Sequence, residues 1–78
     1  MRLYEFVVKC EDGRVRRFYA PWHEWRVEKA RWERKYGRMR LLRSRSATCK
    51  CGEPLYGYVC PRCGRRVRQG EEVRDWAW

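Results

Sequence analysis

The sequence predicts a small α+β protein in which a β-β-α-β lobe is followed by a compact segment that contains four cysteines. Three observations predict this fold class. An alternating apolar segment precedes an Asp-Gly turn, aromatic residues recur at helical spacing in the middle of the chain, and four of the five cysteines fall close together. We expect the lobe to span residues 1–47, the cysteine segment residues 48–68, and an aromatic C-terminal tail residues 69–78. A chain of 78 residues buries a small core, so a metal ion or a partner should add to its stability.

The lobe should begin with a β-hairpin. Apolar and polar side chains alternate along residues 3–10, which predicts a half-buried strand whose apolar face includes Cys10. Asp12 and Gly13 supply turn chemistry, because an Asp-Gly pair readily adopts positive backbone dihedrals. Residues 14–19 should return as the second strand, and the irregular spacing of their apolar side chains allows for a bulge there.

A helix should follow the hairpin. Pro21 suits the first turn of a helix, and Gly37 suits the position just after one. At about 100° per residue, four aromatic side chains between them fall on one face, within an arc of roughly 80°. This aromatic stripe could pack on the hairpin or could stack on nucleobases. Packing is favoured because helical aromatic stripes usually face the core. The stripe consists of Trp22, Trp25, Trp32 and Tyr36.

The positive charge is concentrated in the second half of the chain. The net charge is +10 and the isoelectric point is about 10.0, which favours a polyanionic partner. Leu41 and Leu42 predict a third strand within the basic region. Residues 38–68 contain nine basic side chains and a single acidic one, Glu53. The predicted nucleic-acid contacts are Arg38, Arg40, Arg43, Arg45, Lys50, Arg62, Arg65, Arg66 and Arg68.

The four clustered cysteines predict a closed metal site. Their spacing is Cys-x-Cys, eight residues, then Cys-x-x-Cys, and a glycine follows each pair. Four thiolates complete the tetrahedral shell of one structural Zn²⁺ and leave no position open for catalysis. A disulfide-linked or redox-active pair and an iron centre remain alternatives. Cys10 is expected to be a small buried apolar side chain instead. The predicted ligands are Cys49, Cys51, Cys60 and Cys63.

This cysteine pattern resembles the zinc-ribbon family, whose knuckles read CxxCG and CPxCG around a short hairpin. The run Cys60-Pro61-Arg62-Cys63-Gly64 is similar to the standard second knuckle, whereas the first pair has one residue fewer between its ligands. The resemblance covers residues 48–66. It implies a zinc ribbon in which four cysteines hold one structural Zn²⁺, and it says little about the partner.

The expected function is RNA binding without catalysis. His23 is the only histidine, and the chain contains no glycine loop that would cradle a phosphate, so we expect no enzyme and no small-molecule substrate. RNA is favoured over DNA because the single predicted helix is committed to the core and leaves arginines to contact phosphates and folded-RNA shape. Small basic zinc proteins are similar to accessory proteins of archaeal ribosomes, which implies ribosomal RNA and neighbouring ribosomal proteins as partners. The alternatives are a DNA-binding or RNA-polymerase-associated transcription regulator, including a viral one, and a protein–protein adaptor.

Composition adds expectations about the setting of the protein. The longest aliphatic or aromatic run is Phe6-Val7-Val8, so we expect no membrane partner, no export signal and a cytoplasmic location. Asparagine is absent and arginine far exceeds lysine, which fits a thermophilic source. Trp76 and Trp78 in the tail are expected to be buried against a partner.

Overall fold

A computed structural model of the chain describes residues 2–49 and 51–73. The predicted small α+β fold is confirmed: three antiparallel strands form one sheet in the order β2-β1-β3, and a single helix follows β2. Within the described ranges, no helix has the length and apolar character needed to cross a membrane. The elements are β1 (Leu3–Cys10), β2 (Val15–Pro21), a short 3₁₀ turn (Trp22–Glu24), α1 (Trp25–Tyr36) and β3 (Met39–Ser46).

The hairpin forms where the Asp-Gly pair predicts it. Gly13 has a φ of +85°, a left-handed conformation that glycine adopts without steric cost, and its N–H donates to the Cys10 carbonyl over 2.9 Å. The pairing of β1 with β2 is regular along its whole length. The bulge that the spacing of the second strand allowed does not form in this pairing. A register shift occurs instead where β1 pairs with β3, between Val7 and Val8.

One face of the sheet packs against α1, as the aromatic stripe predicts for three of its four members. Trp32 lies 4.7 Å from the Phe18 ring centroid, and Trp25 and Tyr36 pack beside it. Trp22 departs from the prediction because its side chain is 56% exposed. It belongs to the 3₁₀ turn, which has about three residues per turn, so the 100° spacing of an α-helix does not apply to it.

The other face of the sheet is also buried along most of β1, which contradicts the prediction that residues 3–10 form a half-buried strand. Leu3, Glu5 and Val7 are all buried, although they point away from α1. The cysteine segment, residues 48–68, supplies the cover. Its Leu55 carbonyl accepts the Leu3 N–H at 3.0 Å, and its Leu55 N–H donates to the carbonyl of Ala47. A second cluster of buried side chains forms there from Leu3, Tyr19, Ala47, Cys49, Leu55 and Cys60.

Residues 69–73, which we name the closing segment, run along the outer edge of β2. The Gly70 N–H donates to the Tyr19 carbonyl at 2.8 Å, and the Gly70 carbonyl accepts the indole N–H of Trp32 at 2.8 Å. The Gln69 amide donates to the buried Glu28 carboxylate over 2.8 Å. A Cβ on Gly70 would collide with that carboxylate, so a glycine lets the segment approach the helix. Trp76 and Trp78 lie outside the described residues.

The third strand forms where Leu41 and Leu42 predict it. The leucines themselves remain largely exposed, however, and Met39 is the side chain of β3 that enters the core beside α1. Met39 therefore anchors β3 to the core, and the leucine pair does not.

Candidate metal centre and basic surface

The four cysteines of the cysteine segment converge on one point. Their sulfur atoms all lie within 4.8 Å of one another, with 3.2 Å between Cys49 and Cys63 and 3.6 Å between Cys51 and Cys60. Four sulfurs at about 2.3 Å from a central ion would be about 3.8 Å apart, so this arrangement fits a tetrahedral thiolate site. All five cysteines of the chain are free thiols.

Each half of the site is a tight turn closed by the same pair of backbone hydrogen bonds. In the first turn, the Gly52 N–H donates to the Cys49 carbonyl, and the Cys49 N–H donates to the Glu53 carbonyl. In the second turn, the Gly64 N–H donates to the Cys60 carbonyl, and the Cys60 N–H donates to the carbonyl of Arg65. Both glycines have positive φ, +91° and +75°. The shorter first knuckle therefore makes an equivalent turn with one residue fewer.

The turns also stabilise negative charge on sulfur. The backbone N–H groups of Cys63 and Arg62 point at the Cys60 sulfur and lower the pKa of that thiol to about 6, against the opposing effect of burial. At Cys63 the Arg65 N–H favours the thiolate. Hydrogen bonds with the Cys49 and Cys60 thiols, together with burial, outweigh it and raise the Cys63 pKa to about 11. The second turn therefore favours the thiolate at Cys60 and the protonated thiol at Cys63, whose proton a bound cation would have to displace.

The fifth cysteine lies apart from this site. Cys10 is buried in the cluster between the sheet and α1, with Phe6 and Met39, whereas Cys49 and Cys60 are buried on the opposite face of the sheet. It takes the place of a small apolar side chain, as its position on the apolar face of the first strand predicts.

The arginines of β3 form one row on the face of the sheet that points away from α1. Arg45 pairs with Glu5, Arg43 with Val7 and Arg40 with Lys9, and all three arginines are exposed. In a regular strand, positions 40 and 43 would point to opposite faces. The register shift between Val7 and Val8 inserts one extra residue in β3, so the two arginines share a face. We name Arg40, Arg43 and Arg45 the arginine row.

A buried carboxylate holds one end of the arginine row in place. Glu5 accepts a hydrogen bond from Arg17 Nη1 at 3.1 Å and another from Arg45 Nε at 3.1 Å. Glu5 is buried, so its two cationic partners compensate the cost of desolvating its charge. Arg17 was missed in the sequence, and so was Lys9, which lies beside Arg40. The sequence could have indicated both residues, because odd-numbered positions in a regular hairpin with this turn share one face, and Glu5, Lys9 and Arg17 are all odd-numbered.

The remaining predicted basic contacts are distributed around the row. Burial and the charge of Glu5 raise the pKa of the Tyr19 hydroxyl. The positive charge of the nearby Arg65 opposes that increase. Arg66 is exposed on the cysteine segment, where it pairs with Val59.

Three further arginines among the predicted contacts lie beside acidic side chains. Arg62 lies 3.5 Å from Glu53, Arg68 lies 3.7 Å from Glu71, and the Arg38 backbone N–H donates to Glu11. Lys50 lies outside the described residues. The structure therefore places Arg40, Arg43 and Arg45 on one face of β3, and it places Arg62, Arg65 and Arg66 in or beside the second cysteine turn.

Comparisons of the chain with models of protein families, with curated proteins and with solved structures gave no match. The cysteine geometry and the distribution of charge are therefore the features that indicate a function.

Proposed function

We propose that the chain is a structural zinc protein that binds RNA phosphates through the arginine row and the arginines around the metal centre. The observation that carries the proposal is the common direction of Arg40, Arg43 and Arg45, which the register shift in β3 produces. A row of exposed guanidinium groups along one strand suits the spaced negative charges of a nucleic-acid backbone.

Zinc is the ion that suits the cysteine site best. Four sulfur ligands in a closed tetrahedron are typical of structural Zn²⁺, and the two equivalent glycine turns support the resemblance to zinc ribbons. The sulfur pair at 3.2 Å joins Cys49 to Cys63, which come from different turns, so the geometry gives no support to a disulfide within either knuckle. The bound ion would carry a net charge of about −2 with its four thiolates, which the nearby arginines offset.

RNA is the preferred polyanion because the arginines lie on a sheet and the helix uses its aromatic face for packing. A helix that reads DNA presents side chains to base edges in the major groove, whereas contacts from a basic sheet suit phosphates and folded shape. Ribosomal RNA is the specific target that we propose, by analogy with small zinc-bearing ribosomal proteins. Neighbouring ribosomal proteins would then be further partners, and the protein would have no catalytic role.

The proposal is tested by titrating folded ribosomal RNA fragments and a DNA duplex with the zinc-loaded protein across a salt series. Arg43→Ala should weaken RNA binding and reduce the slope of log K against log salt by about one unit or less, because one phosphate contact is lost. Arg34→Ala is the matched control, since Arg34 is an exposed arginine of α1 outside the row. It should change the slope little.

Three results would contradict the proposal. Equal slopes and affinities for the wild type and the Arg43 variant would show that the arginine row is only a solvated surface. A strong preference for one DNA sequence would favour a transcription regulator, and salt-insensitive binding to a protein would favour an adaptor.

A further inference from the structure

Two aromatic side chains are exposed at the end of the sheet where β1 begins and β2 ends. Trp22 is 56% exposed and Tyr56 is 57% exposed. Arg2 and Tyr4 lie between them at alternate positions of the N-terminal segment, so their side chains leave the same side of the chain. We name Arg2, Tyr4, Trp22 and Tyr56 the aromatic end.

The Trp22 ring is held in place even though it is exposed. It stacks on Phe6 with 5.8 Å between ring centroids and an interplanar angle of 26°, and the Tyr4 ring meets it edge-on at 5.7 Å. One face of the indole is therefore supported by the core, and the ring loses little conformational freedom when a flat partner covers its exposed part.

Tyr56 is positioned from the other side of the same end. The hydrogen bond from the Leu3 N–H to the Leu55 carbonyl brings residue 56 beside residue 2. The Arg2 guanidinium carbon lies 5.8 Å from the centroid of the Tyr56 ring. A cation over one face of an aromatic ring provides a contact for a phosphate and leaves the opposite ring face for a base.

The arginine row leads towards this end of the sheet. Arg45 pairs with Glu5, and the next residue of β3, Ser46, pairs with Tyr4, whose ring touches Trp22. The row lies on the face of the sheet that points away from α1, whereas Tyr4 and Trp22 pack on the α1 face. An RNA strand that contacts both must therefore bend around this end of the sheet.

We propose that the aromatic end stacks on unpaired nucleobases, so that the RNA recognised by this protein has a single-stranded part beside the segment held by the arginine row. This inference rests on the proposed RNA-binding function and specifies its substrate. Base stacking on Trp and Tyr requires accessible base faces, which a continuous duplex does not offer.

The test compares an adenine-rich RNA strand with the blunt duplex that it forms with its complement. Trp22→Leu and Tyr56→Leu should each weaken binding of the single strand by about 5- to 100-fold, and should change duplex binding less than about threefold. Val27→Ala, which removes an exposed apolar side chain of α1, is the matched control and should change neither affinity. Thermal unfolding of each variant verifies that the fold is retained.

Tryptophan fluorescence supplies a readout that a purely structural role would not alter. Stacking of adenine on Trp22 should quench part of the emission when the single strand binds. The Trp22→Leu variant should lose this contribution to the quenching, while Tyr56→Leu at saturating RNA should retain it. Quenching that is unchanged in the Trp22 variant would contradict the inference.

The outcomes separate this inference from the proposed function. A wild type that binds neither RNA at low salt overturns the proposed function. The stacking inference alone is overturned if the wild type binds both RNAs and the two aromatic variants keep their RNA affinity. The same holds if the variants lose affinity equally for the strand and the duplex. A wild-type dimer in sedimentation that becomes a monomer in Trp22→Leu, with RNA affinity unchanged, would assign the aromatic end to self-association instead.

Discussion

Replacement of Trp32 by alanine should remove most of the stability of this protein. The side chain is 5% exposed, it packs against Phe18 and Tyr36, and its indole N–H donates to the Gly70 carbonyl. Truncation of a buried tryptophan costs about 3–5 kcal/mol, and loss of the hydrogen bond adds about 0.5–1.5 kcal/mol. A chain of this length has a total stability of about 4–12 kcal/mol, so the loss takes more than half of it at mid-range and unfolds the variant at the lower end.

A graded series separates the ring from the hydrogen bond. Trp32→Phe retains an aromatic ring beside Phe18 and loses the bond to Gly70, so we expect a cost of about 1–2 kcal/mol. Trp22→Ala makes the same substitution at an exposed position and should cost less than about half as much as Trp32→Ala. The measurement is urea unfolding of the zinc-loaded proteins, followed by far-ultraviolet circular dichroism.

One result would refute this reasoning. If Trp32→Ala unfolds within about 1 kcal/mol of the wild type and yet loses RNA affinity, the aromatic stripe is a binding surface and does not stabilise the core.

Two further predictions concern the metal centre. Native mass spectrometry should find one zinc per chain, retained in Cys10→Ser and lost in Cys60→Ser; loss from the Cys10 variant, or a metal-free wild type with intact disulfides, would contradict the assignment. Zinc affinity should fall as pH falls, because raised pKa values keep Cys51 and Cys63 protonated at pH 7 and zinc must displace both protons. The slope of log affinity against pH should be about 2 or more near neutrality and steeper below pH 6, where Cys60 also becomes protonated. Competition with a chromophoric chelator measures it, and a slope near zero would show that these sulfurs do not bind the ion.

Local sequence rules predicted the parts of this protein that local interactions determine. The first strand begins and ends where its alternation indicates, the Asp12-Gly13 turn closes the hairpin, and the cysteine spacing brings four sulfurs together. In each case the relevant contacts lie within about fifteen residues of one another, so that propensity and spacing describe them well.

The rest depended on contacts between distant parts of the chain. The burial of Glu5 could not be read from residues 3–10, because its partner Arg45 and the cover supplied by Leu55 come from later segments. The register shift in β3 likewise follows from fitting two faces at once: Met39 enters the core beside α1, while Arg43 and Arg45, which would share its face in a regular strand, point to the other side. Trp22 was misplaced because the chain enters the helix through a 3₁₀ turn.

The hydrogen bond between Leu3 and Leu55 also has a consequence for folding kinetics. It joins residues that are about fifty positions apart, and Ala47 is bonded to both of them, so the first strand and the cysteine segment meet only after a long loop has closed. Contacts of such sequence separation slow folding, and until they form the apolar residues of β1 lack the cover of the cysteine segment. Zinc binding should help the cysteine segment to fold, so chains made where zinc is scarce would leave the second face of the sheet uncovered for longer and would be more prone to aggregate.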